Sequence, residues 1–96
     1  MKLGFIGTGK ITSSVITGIF KSSITVSKIF ISSRNKNLSR RLKKKYRKII
    51  VEKDNQKIID KSNWIFLAIT PTVGLKILKN LKFRKNQVII SFISTI

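Results

Sequence analysis

Ninety-six residues carry 21 Lys plus Arg against three Asp plus Glu, a formal charge of +18, with no Cys and no His. That length allows one small domain or part of one, which buries only roughly 60% of its unfolded surface. A disulfide framework, thiolate or imidazole metal ligands and a Cys or His nucleophile or base are all excluded, and no metal site is expected.

The apolar run Lys2–Ile6 leads into Gly7 and predicts a buried parallel strand, after which Ile11, Val15, Ile16, Ile19 and Phe20 recur at helical spacing. Lys28–Ser32, KIFIS, is rich in β-favouring residues and predicts the second strand. After a polar turn, Leu38, Leu42 and Tyr46 mark one face of a strongly basic helix. Ile49, Ile50 and Val51 predict a brief third strand, and Asp54 or Asn55 then caps a short helix holding Ile58 and Ile59.

Residues 64–69, WIFLAI, are apolar in succession, as in a central strand buried on both faces, and Trp64 is expected in the core. Thr70 and Pro71 read as a helix start, with Gly74, Ile77, Leu78 and Leu81 facing inward, and residues 88–93 predict a fifth strand. The order βαβαβαβαβ with short connections implies an α/β fold, a doubly wound parallel sheet of about five strands with helices on both faces. The chain ends at Ile96 on an apolar strand with no helix after it, so the sheet is expected to be incomplete at the C-terminus and the chain to be an N-terminal portion of a longer protein.

The uncharged stretch 62–75 is too short for a membrane span and holds Pro71, and Lys10 interrupts the apolar start before a signal-peptide core can form. A cytoplasmic protein without membrane contact is the default expectation. The densest basic cluster, RRLKKKYRK at residues 40–48, has the look of a nucleic-acid contact. Charge is the only nucleic-acid signal present, however, and the other basic residues are spread along the whole chain, so nucleic-acid binding is the weaker reading.

GTGKIT, residues 7–12, follows the first predicted strand and opens the first helix. In the dinucleotide fingerprint G-x-G-x-x-G the first glycine permits the tight turn, the second lets backbone approach the pyrophosphate, and the third allows close helix-strand packing. Gly7 and Gly9 meet the first two needs, and the helix starting near Lys10 turns its free N–H groups toward the phosphates. Thr12 replaces the third glycine, a departure that touches packing more than ligand contact. The bland reading, a chance glycine pair in a turn, is weakened by the strand before and the helix after.

An acid about 20 residues further on would bind ribose hydroxyls, whereas arginine there accepts the 2′-phosphate of NADP. The second strand instead runs into SSRN, residues 32–35. Arg34 can make charge-assisted bonds to that phosphate, Ser33 can donate another, and Lys36 adds positive potential. NADP, as NADPH, is expected over NAD; the competing reading is Arg34 as one more solvated cation.

Four segments together resemble the pyrroline-5-carboxylate reductase family: KLGFIGTGKI at the start, ISSRN, DNQKIIDKSNWIFLAITP, and VIISFISTI at the end. The resemblance implies the N-terminal, Rossmann-like NADP-binding domain of an NAD(P)H-dependent imine reductase of proline biosynthesis. It carries cofactor contacts onto Ile6, Gly7, Thr8, Gly9, Lys10 and Ile11, onto Ser33 and Arg34, onto Asn55, and onto Ala68, Ile69, Thr70 and Pro71, and sets Phe92, Ile93 and Ser94 beside the nicotinamide. Asn55 stays open between ligand and helix cap. Thr70 stands where the family often has lysine, residues 92–95 where it has small residues, and Thr12 where alanine is common. No catalytic residue is expected here, because the family's C-terminal domain supplies most of the substrate site and the dimer contact; a homo-oligomer is expected only with that domain. Two other classes share these features: another reductase of the F420-dependent NADP oxidoreductase type, and a non-catalytic nucleotide-binding module.

Overall fold

The computed structural model describes residues 1–7, 10–69 and 71–92, with backbone alone for Lys10, Pro71, Val73 and Leu75. Nine elements alternate along it: β1 (Lys2–Ile6), α1 (Lys10–Lys21), β2 (Lys28–Ser32), α2 (Lys36–Lys45), β3 (Ile49–Glu52), α3 (Asn55–Lys61), β4 (Trp64–Leu67), α4 (Pro71–Leu78) and β5 (Val88–Ser91). All paired strands are parallel, in the order β3-β2-β1-β4-β5. That order reverses direction between β1 and β4, the arrangement of the Rossmann sheet.

Successive side chains of a strand point to opposite faces, and two packed clusters follow from this. Leu3, Phe5, Ile29, Ile31, Ile49 and Phe66 meet Ile16 and Val15 of α1 and Leu38 and Leu42 of α2. Ile6, Phe30, Ile65 and Leu67 meet Ile58 and Ile59 of α3 and Ile77 and Leu78 of α4. Helices α1 and α2 therefore cover one face and α3 and α4 the other, which is the doubly wound architecture expected from the sequence. Among the described residues no helix is long and apolar enough to cross a membrane.

Several local expectations are corrected. Ile11 is 49% exposed, and Thr12, 0% exposed, takes the inward place on the stripe of Ile16 and Ile19. Tyr46 is not part of α2 but its extended C-cap, and its ring stacks on Phe20 at 4.3 Å. Its phenol is held below its ordinary pKa, first by the Thr17 hydroxyl and also by the charges of Lys45 and Lys21. Of the two caps the sequence allows for α3, Asp54 is the one used, accepting from the Gln56 N–H at 3.0 Å, and Asn55 is the first helical residue.

Strand β4 stops at Leu67 instead of continuing to Ile69. Trp64, at its amino end and so at the edge of the sheet opposite the strands' carboxyl ends, is 37% exposed, paired with the 41% exposed Val88. Strand β5 runs over Val88–Ser91; Ile93, its predicted end, lies outside the described residues.

Gly4 faces α3, where a Cβ would meet Ser62 Oγ, Ile58 Cγ2 at 2.8 Å and Ser62 Cβ at 3.0 Å. Ser62 is fully buried and its hydroxyl donates to the Ile58 carbonyl, so it cannot swing aside without losing that bond. Gly4→Ala is expected to destabilise the fold by about 1–3 kcal/mol, the usual cost of overpacking. A urea midpoint unchanged from the parent chain would show that α3 can retreat from β1.

Candidate functional site

Parallel pairing brings the carboxyl ends of all five strands to one rim, with Ile6 beside Leu67, Leu67 beside Ser91, and Ser32 beside Glu52. The residues singled out in the sequence follow those ends. Gly7 succeeds β1, Ser33 and Arg34 succeed β2, Asn55 lies beyond β3, Ala68 and Ile69 succeed β4, and Phe92 succeeds β5. Lys10 and Ile11 open α1 and Pro71 opens α4. Thr8, Gly9, Thr70, Ile93 and Ser94 lie outside the described residues.

The closest approach is at the reversal point of the sheet. Gly7 has a φ of 97°, a conformation that L side chains rarely adopt. A Cβ there would strike the Ala68 carbonyl oxygen and come within 2.7 Å of Ile69 Cγ2. Strand β4 is joined to the same turn by the Ala68 N–H, which donates to the Ile6 carbonyl at 2.9 Å. Thr12 Oγ1 in turn donates to the Gly7 carbonyl at 3.1 Å. The turn is thus held between β4 and the first turn of α1, whose amino end lies at the rim because the helix starts directly after the turn. That end carries unsatisfied N–H groups and partial positive charge.

The turn after β2 is fixed by local bonds. Ser32 Oγ accepts from the Arg34 N–H at 3.1 Å, and the Ser32 carbonyl accepts from Ser39 Oγ at 2.7 Å. Asn35 Oδ1 caps α2 through the Leu38 N–H at 3.1 Å, and the Ser33 N–H donates to the Glu52 carbonyl at 3.1 Å. Arg34 stands exposed on this rigid turn. The three carboxylates are occupied elsewhere: Glu52 with Lys61 at 2.7 Å, Asp54 at the cap of α3, and Asp60 with Gln56 Nε2 at 2.9 Å. Among the described residues no side-chain carboxylate pairs with the Arg34 guanidinium.

Asn55 is half-buried in the first turn of α3 and, since Asp54 takes the cap, its side chain is not needed for that purpose. It lines an open depression of about 480 Å³ with Gln56, Lys76, Ile77 and Asn80. Phe92 donates its N–H to the Leu67 carbonyl at 2.8 Å. Its ring, 36% exposed, lies parallel to Phe66 at 6.1 Å between centroids, so it belongs to the α1 and α2 face. Gly7, Ala68 and Ile69 are therefore in direct contact, while Arg34, Asn55 and Phe92 share the rim at separate strand ends.

The residue that sequence reasoning undervalued is Thr12. Its signal was present: four residues before Ile16 and seven before Ile19, it lies on the buried stripe of α1.

Gly7→Ala is expected to cost at least about 1–2 kcal/mol through the left-handed backbone alone, with the clash against Ala68 in addition. Chemical denaturation checks this, and an alanine variant as stable as the parent would contradict the close approach of the two turns.

The sequence model of the family described as NADP oxidoreductase coenzyme F420-dependent matches residues 2–95. Pyrroline-5-carboxylate reductase 3 of Danio rerio is 33% identical over 94 residues, which are 95% of this chain and 32% of that protein. The crystal structure of 1-pyrroline-5-carboxylate reductase from Streptococcus pyogenes matches with a TM-score of 0.79 and 30% identity, over 100% of this chain and 35% of that one. The chain spans about a third of the length of these relatives. A match across nearly all residues, joined to the Rossmann strand order and the glycine turn at its reversal point, shows that the chain belongs to the NADP oxidoreductase coenzyme F420-dependent family and resembles pyrroline-5-carboxylate reductases in sequence and fold.

Proposed function

We propose that residues 1–96 form the NADPH-binding domain of an imine reductase resembling pyrroline-5-carboxylate reductase, acting within a longer protein whose C-terminal domain binds substrate and forms the dimer. The observation that carries this reading is the close contact of Gly7 with Ala68 and Ile69 at the reversal point of the sheet. There a bare backbone and a helix N-terminus fit a pyrophosphate, and a side chain at Gly7 has no room. Gly7, Thr8, Gly9 and Lys10 would hold the pyrophosphate, with Ile6 and Ile11 beside it. Arg34 and Ser33 would hold the 2′-phosphate, Asn55 the adenosine side, and Ala68, Ile69, Thr70 and Pro71 the centre. Phe92, Ile93 and Ser94 would flank the nicotinamide.

When bound, the reduced nicotinamide supplies the hydride that a cyclic imine accepts to become proline. The residues of this chain bind and orient; none is assigned as a proton donor, and the isolated 96 residues are expected to show no turnover. A cytoplasmic location is part of the same proposal. The family's description favours a second reading, in which the hydride passes between coenzyme F420 and NADP on the same domain. Supplying a longer parent protein with NADPH and either the cyclic imine or oxidised F420 separates the two.

Titration of the purified chain with NADPH and NADH tests the cofactor reading. NADPH is expected to bind more tightly, and Arg34→Ala to weaken NADPH by roughly tenfold while changing NADH little, as the loss of one charge-assisted bond to phosphate implies. Equal affinities for the two cofactors would remove the NADP preference. No dinucleotide affinity, together with strong and steeply salt-dependent DNA or RNA binding, would replace the domain reading by a nucleic-acid one.

A further inference from the structure

We infer that Thr12 is a positioning residue for the phosphate-binding turn: its buried hydroxyl holds the Gly7 carbonyl and so sets the peptide presented to the pyrophosphate. The inference rests on the dinucleotide reading above and adds to it a residue outside the glycine turn itself.

Thr12 is the third residue of α1, is 0% exposed, and donates from Oγ1 to the Gly7 carbonyl at 3.1 Å. A threonine hydroxyl inside a helix ordinarily bonds back to the carbonyl three or four residues earlier. Here the acceptor is five residues earlier, before the helix begins, so the bond ties α1 to the turn that feeds it. Peptide planarity means that holding this carbonyl orients the whole peptide plane leaving Gly7. The Ala68 carbonyl and Ile69 Cγ2 fill the space where a Gly7 Cβ would stand, so Gly7 has no room to move toward them. Gly7 is thus held at its carbonyl and crowded at its Cα.

A glycine in Thr12's place would let helix and strand approach more closely but would supply no such grip. Threonine puts Cβ, Oγ1 and Cγ2 into that space, and the hydroxyl makes the added bulk part of the turn's support. The polar group is buried without penalty because its one proton has a partner.

Thr12→Val keeps the shape and removes the donor, whereas Thr12→Ser keeps the donor. Binding is read with NADPH, which carries the pyrophosphate, and with adenosine 2′-monophosphate, which lacks it and reads the Arg34 side alone. Thr12→Val is expected to weaken NADPH by roughly five- to tenfold, the usual worth of one hydrogen bond, and to leave adenosine 2′-monophosphate unchanged. Thr12→Ser should stay close to the parent with both ligands. Should the valine variant not fold, Thr12→Ala against Thr12→Ser gives the same contrast. Unaltered NADPH affinity in the donor-less variant overturns the role of Thr12 alone, as does an equal loss for both ligands, which would mark general damage. A parent chain with no NADPH affinity overturns the dinucleotide reading and this role with it.

Discussion

The Ala68 carbonyl occupies the space that a side chain on Gly7 would need, and the rest of the rim is arranged around that contact. It exists because β1 and β4 are neighbours in a sheet whose order reverses there, so two chain segments leave adjacent strands at the same height. One turns toward α1 on one face and the other toward α4 on the opposite face, as at the reversal point of a doubly wound sheet. Glycine at the first position is thus a packing requirement of the topology as much as a means of approaching a ligand.

Charge acts on this frame differently from packing. The three carboxylates are all engaged, Glu52 with Lys61, Asp54 with the Gln56 N–H and Asp60 with Gln56 Nε2, so the 21 basic residues far outnumber the acids that could pair with them. The basic run on α2 has a structural use, since Lys43, Lys44 and Lys45 lie in its last turn, where positive charge complements the helix dipole. What charge adds at the rim is chiefly freedom from competition: among the described residues no acid pairs with Arg34, and Glu52, on the neighbouring strand, is turned to Lys61. The turn that carries Arg34 is rigid through Ser32, Ser39 and Asn35, so the guanidinium is offered from a fixed base.

The fold was legible because strand and helix periods differ and each segment shows only one of them. Lys2–Ile6 and Lys28–Ser32 were read with the bounds the structure has, and the doubly wound arrangement followed from element order. Ends were less legible. WIFLAI is apolar through Ile69, but β4 must stop at Leu67 for Ala68 and Ile69 to pass over Gly7, a constraint set by a residue sixty positions away. Trp64 looked like core because its sequence neighbours are apolar, yet it stands at the amino edge of the sheet, opposite the site, where strand pairing puts it beside Val88. At the site, the positions of Gly7 and Arg34 could be read from motif spacing, whereas the use of Thr12 required knowing that Ile11 turns outward and its neighbour inward.

That exchange at the start of α1 has a consequence for the turn. An apolar residue in the inward position would fill the gap between helix and strand but leave the Gly7 carbonyl, buried beside it, without the hydroxyl that now satisfies it. A glycine would bring the strand closer and shrink the gap without providing a donor. Threonine meets both demands, bulk and a proton, in one short side chain whose rotamers are few. Departure from the glycine motif is therefore compatible with a well-held turn, because the motif's third position specifies a fit between helix and strand and more than one side chain can provide it.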